Sequence, residues 1–75
     1  MRIGESKNTS FKRLAGNRTN NVIRNLRLLG NLSNKNNYSY TEQDFKRIFG
    51  IVENELRLAK SRFLISLDKK KRFKI

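Results

Sequence analysis

Arginine and asparagine residues recur at helical spacing in the first half of the chain. Arg13, Asn17, Asn20, Arg24 and Arg27 follow one another at intervals of four, three, four and three residues, an order that keeps side chains on one side of an α-helix. A guanidinium group binds two phosphate oxygens at once, and a carboxamide can donate to or accept from a sugar hydroxyl. This spacing therefore indicates a surface suited to the backbone of a nucleic acid.

The charge of the chain supports the same chemistry. Its 75 residues hold 18 Lys and Arg against 6 Asp and Glu, a net charge of +12, whereas a small domain needs only about 2 to 8 charges for solubility. The alternative interpretation is a solvated helix face in a chain rich in Lys and Asn. A solvated face usually carries both signs of charge. Because no acid lies between Glu5 and Glu42, the sequence favours a polyanionic partner. The predicted nucleic-acid-binding residues are Arg13, Arg18, Asn20, Arg24, Arg27, Lys35, Tyr38, Lys46, Arg47, Lys69, Lys70, Lys71 and Arg72.

The composition argues against an enzyme. The chain contains no His and no Cys, so it has neither the usual proton shuttle of neutral pH nor a thiolate nucleophile or zinc ligand. We therefore expect no catalytic residue, metal site, cofactor or small-molecule substrate. The apolar run Phe63, Leu64, Ile65 is far shorter than the about 20 residues of a membrane helix. We expect no secretory signal, no membrane span and a cytoplasmic protein associated with ribosomes or the nucleoid.

The first helix is predicted over about 10–29. Ser10 can cap its N-terminus, and Gly30 follows its last apolar residue, where a left-handed residue often ends a helix. Residues 1–9 have no apolar periodicity and are predicted to form a flexible basic arm. The apolar side of this helix comprises Ala15, Val22, Ile23, Leu26 and Leu29.

The second helix is predicted over about 42–66. Thr41 and Asp44 have the spacing of a capping box, in which each side chain accepts from the backbone amide of the other residue. Tyr40 and Phe45 occupy the positions of a hydrophobic staple. The helix has an apolar seam with heptad-like spacing, formed by Phe45, Phe49, Val52, Leu56, Ala59 and Phe63 and called here the Phe seam.

These elements predict an all-α fold, an antiparallel two-helix hairpin with a loop at 30–41, a basic arm and a basic tail at 67–75. The second helix holds more apolar residues than the first can cover. We therefore expect the hairpin to form a homodimer or to dock on a larger protein or ribonucleoprotein assembly.

The Asn-rich loop has two interpretations. Asparagine accepts turn conformations and caps its own backbone, which favours a purely structural turn. In the competing interpretation, Lys35 and the amides contact RNA while Tyr38 stacks on an unpaired base.

The favoured function is that of a small, non-enzymatic accessory protein that binds ribosomal or other structured RNA through its phosphates. One alternative is a DNA-binding protein of a phage or mobile element, dimeric through the second helix. Another is a protein-binding module or inhibitor that docks the Phe seam on a larger partner.

Overall fold

Two α-helices make up most of the chain. The computed structural model describes residues 6–68, in which α1 spans Lys7–Asn31 and α2 spans Glu42–Asp68. The chain divides into one structural unit around each helix. The predicted all-α class is thus confirmed. Most of the predicted N-terminal arm, and the tail from residue 69 onward, lie outside the described residues.

The N-terminus of α1 is capped by Ser6. This residue has extended backbone angles, and its Oγ accepts from the Thr9 amide at 3.0 Å while donating to Thr9 Oγ1 at 2.9 Å. The amide of Ser10 donates to the Ser6 carbonyl at 2.9 Å and so already belongs to the helix. The predicted start at residue 10, with Ser10 as the cap, is therefore wrong, and residues 7–9 belong to α1 rather than to an arm.

The C-terminus of α1 closes without a left-handed residue. Gly30 is helical, and no residue of 6–68, glycines included, has a positive φ. The last turn tightens instead, since the Leu32 amide donates to the Leu29 carbonyl at 3.1 Å and the Ser33 amide to the Gly30 carbonyl at 3.0 Å. These shorter-range hydrogen bonds satisfy carbonyls that a helix end leaves open. The predicted stop at Gly30 is thus wrong, and α1 continues to Asn31.

The N-terminus of α2 has the predicted capping box. The Asp44 amide donates to Thr41 Oγ1 at 3.0 Å, and the Thr41 amide donates to Asp44 Oδ2 at 2.9 Å. The helix then propagates from the Phe45 amide, which donates to the Thr41 carbonyl at 3.1 Å. The predicted start of α2 at residue 42 is confirmed, and its end lies at Asp68.

Neither helix has a buried residue. In the Phe seam, the rings of Phe45 and Phe49 lie 5.2 Å apart between centroids and are tilted by 40°. Phe45, Leu56 and Phe63 nevertheless remain 51%, 59% and 57% exposed. The seam is therefore a largely exposed apolar surface of α2.

Candidate nucleic-acid interface

The helical backbone of α1 brings four of the five predicted contact residues of this helix to one side. At about 100° per residue, the arginines and asparagines spaced by four and three positions from Arg13 to Asn31 fall within about 80° of one another around the helix axis. They extend over about 27 Å at 1.5 Å per residue. All of them are exposed. This surface, called here the Arg–Asn stripe, consists of Arg13, Asn17, Asn20, Arg24, Arg27 and Asn31.

Arg18 does not belong to this stripe. It lies about 120° around the helix from Arg24 and about 180° from Arg27. Its neighbours one turn away on the helix surface include Leu14 and Val22, which are 36% and 55% exposed. Arg18 thus stays a predicted contact residue, but it lies apart from the stripe. Phe11 was missed as a member of the apolar side, although it lies within the predicted helix and close in angle to Val22 and Leu29.

The positive charge of residues 6–68 is concentrated on α1 and is not shared with α2. α1 carries six basic residues and no acid, whereas α2 carries five of each sign. Within α1, the first turn has no acid and the last turn has no base, the reverse of what the helix dipole favours. The basic residues of α1 are Lys7, Lys12, Arg13, Arg18, Arg24 and Arg27. Those of α2 are Lys46, Arg47, Arg57, Lys60 and Arg62, with the acids Glu42, Asp44, Glu53, Glu55 and Asp68.

Lys46 and Arg47, the two predicted contact residues on α2, have acidic neighbours. Lys46 Nζ lies 3.4 Å from Glu42 Oε2 in an exposed ion pair. The charge of Arg47 acts on Asp44, one turn earlier. Their fields are therefore partly offset, and these two residues are less suited to binding phosphate than the arginines of the stripe.

The capping box also fixes the charge of Asp44. The hydrogen bond from the Thr41 amide, then that from the Thr41 hydroxyl, and finally the charge of Arg47 lower the pKa of Asp44 below its ordinary value of 3.8. Asp44 therefore stays ionised in mildly acidic solution, where its negative charge interacts favourably with the positive end of the α2 dipole.

The loop is organised by Asn34. Its Oδ1 accepts from the Asn36 amide at 2.9 Å, and its carbonyl accepts from the amides of Asn37 and Tyr38 at 3.1 and 3.0 Å. This side-chain turn is the structural role predicted for the asparagines. The ring of Tyr38 is 48% exposed beside this turn. Lys35, in the same loop, is exposed as well.

No protein-family model, curated protein or solved structure matches this chain.

The remaining features concern metals, membranes and the tail. Within residues 6–68, no group of acidic side chains is placed to hold a metal ion. The same part of the chain has no helix long and apolar enough to cross a membrane. The predicted contacts in the tail lie outside the described residues; they are Lys69, Lys70, Lys71 and Arg72.

Proposed function

We propose that this protein is a small, non-enzymatic RNA-binding protein that holds the phosphates of structured RNA with the Arg–Asn stripe of α1. The observation that carries this proposal is the concentration of positive charge on α1, with six basic residues and no acid, while α2 is balanced. Binding to such a helix is driven by release of the counterions condensed on the nucleic acid. A cytoplasmic location with ribosomal or other structured RNA goes with this proposal.

The asparagines of the stripe favour RNA over DNA. Asn17 and Asn20 lie between Arg13 and Arg24 on the same side of α1. Guanidinium groups bind phosphates, whereas a carboxamide at the next position can bond the 2′-hydroxyl, which DNA lacks. The exposed ring of Tyr38 adds a surface on which an unpaired base can stack.

The bound form is proposed to be the antiparallel hairpin predicted from the sequence. The proposal is supported by the apolar side on each helix. The axes of two packed helices lie about 8–10 Å apart, so a distance between the helices tests it. The chain has no cysteine, so the substitutions N8C and D68C introduce the only two sites that a thiol-reactive spin label can modify. The hairpin requires a short distance between these two labels in the RNA complex. A long distance there would exclude it.

The first test is to purify the protein from its native source without nuclease and to treat it with RNase or DNase. Release of the bound polymer by RNase alone is the expected result. Release by DNase alone would replace RNA with the DNA alternative. A protein that purifies without any nucleic acid would contradict the proposal.

The second test neutralises the stripe. The double substitution Arg24→Gln with Arg27→Gln is expected to weaken binding. It should also lower the salt slope, which is the steepness with which the binding constant falls as salt rises. We expect a decrease of about two in this slope, or about one for each lost phosphate contact. The matched control is Lys46→Gln with Arg57→Gln, which removes the same charge from the balanced helix. Equal affinity and slope in the stripe variant, with unchanged circular dichroism, would reject α1 as the contact surface.

The exposed Phe seam supports a second candidate function, docking on a larger protein. Such binding buries apolar side chains, so its affinity should change little between low and high salt. Phosphate binding should fall steeply over the same range. A salt titration with each partner therefore separates the two functions.

A further inference from the structure

The Phe seam of α2 is bordered on each side by an acid followed, seven residues later, by a base. Glu53 and Lys60 follow one edge, and Glu55 and Arg62 follow the other. At about 100° per residue, all four lie about 60–100° from the middle of the seam. In helix pairs, these are the positions whose charges meet across the interface and select the partner and its direction.

α1 does not match this border. All charged residues of α1 are basic. It can therefore oppose Glu53 and Glu55 but offers no acid to Lys60 or Arg62. A second α2 offers both signs. When it runs in the opposite direction, its basic half lies against the acidic half of the first copy, and the two helix dipoles also oppose each other favourably.

We propose that α2 is a homodimerisation helix that pairs antiparallel with α2 of a second copy, and that this pairing does not require RNA. One register satisfies both the core and the borders. In the core, Leu56 faces Ala59 of the second copy, Phe63 faces Val52, and Phe49 faces Ser66. Large side chains thus meet small ones, as close packing requires.

The borders agree with the same register. In an antiparallel pair, equivalent edges of the two helices lie side by side. Glu53 then meets Lys60 of the second copy, and Glu55 meets Arg62 of the second copy. The two-fold symmetry repeats each of these contacts, so four pairs of opposite charge flank the core.

Other registers are less favourable. An antiparallel register with Phe49 facing Ala59 would place Glu53 against Glu53 and Glu55 against Glu55, and like charges across a helix interface disfavour the pairing. A parallel pair would match only Glu55 with Lys60. It would also place each core residue against its own copy, so that small Ala59 would meet Ala59.

The dimer is compatible with the proposed hairpin. In a four-helix arrangement each helix packs against two neighbours. α2 has apolar residues beside the seam for such a second contact, since Ile48, Ile51 and Leu58 lie on one side of it, about 60–140° from its middle.

A charge exchange between two variants tests the partner. Glu53→Lys with Glu55→Lys makes all four border contacts repulsive, and so does Lys60→Glu with Arg62→Glu. Each variant alone is expected to sediment as a monomer at a concentration where the nuclease-treated natural protein is a dimer. An equimolar mixture of the two should recover the dimer, because all four contacts become attractive again.

The control variant carries Asn54→Lys and Ser61→Lys on the side of α2 opposite the seam, and it should remain dimeric. A natural protein that is monomeric at all accessible concentrations would overturn the proposal. So would dimers of both variants alone, or a mixture that stays monomeric.

A spin label at D68C, a position outside the proposed core, tests the direction. In the proposed register, the two labels are separated by about 21 residues along the pair, or about 32 Å. A parallel pair would place them side by side. A label distance well below this value in the dimer would reject the antiparallel register even if the charge exchange succeeds.

Discussion

Replacing Gly30 by alanine tests how α1 ends, because the two possible backbone conformations predict opposite signs. Gly30 is helical, and a Cβ added to it meets no atom within 4 Å. Alanine is favoured over glycine by about 0.8–1.0 kcal/mol in a helix interior. Since Gly30 lies in the last turn, where helices fray, we expect Gly30→Ala to stabilise the chain by about 0.5–1 kcal/mol.

A left-handed residue at this position would give the opposite result. Alanine in that conformation costs about 1–2 kcal/mol, so the same substitution would destabilise the chain. The assay is chemical denaturation followed by far-ultraviolet circular dichroism. Gly16→Ala is the control, because Gly16 is also helical and open to an added Cβ and should give about 1 kcal/mol of stabilisation. A loss of stability in Gly30→Ala alone would refute the observed end of α1.

Four further predictions concern α2 and the loop. Thr41→Ala should lower stability by about 1 kcal/mol in a denaturation curve, through loss of the cap. Because the pKa of Asp44 is lowered in the folded chain, its stabilising effect is complete above pH 3.8 and is lost as the pH falls through the lowered value; Asp44→Asn should remove this part of the acid transition, and an unchanged transition would contradict the capping role. Leu56→Ala should cost about 2–5 kcal/mol at concentrations where the seam is covered, and a cost well below 1 kcal/mol would show that it stays exposed. Tyr38→Ala should weaken binding to RNA with an unpaired loop by about 1–3 kcal/mol without affecting binding to a plain duplex.

The sequence was most informative where local chemistry allowed one solution. The capping box at Thr41 and Asp44 uses two side chains that each satisfy the backbone amide of the other, so the start of α2 could be predicted. At α1, Ser6 and Ser10 are equally able to cap. Residue type did not decide between them, and the predicted start fell too late.

The candidate site was predicted in part for a similar reason. The regular spacing from Arg13 to Arg27 defines a helix side by itself, and the backbone confirms that these residues are helical. Arg18 was included because of its charge, although its angular position separates it from the others. The charge balance of α2 became clear only once the helix bounds were known. The packing of one helix on another depends on contacts between residues far apart in sequence, which local rules do not decide.

The arrangement of charge along α1 has a consequence for its thermodynamics. Lys7 lies at the positive end of the helix dipole, and Arg24 and Arg27 are neighbours on the helix surface. Both arrangements oppose helix formation by a few tenths of a kcal/mol. A bound polyanion relieves this repulsion, so binding and helix formation in α1 are thermodynamically linked. If the protein binds RNA as proposed, the melting temperature of α1 is expected to rise with the concentration of RNA.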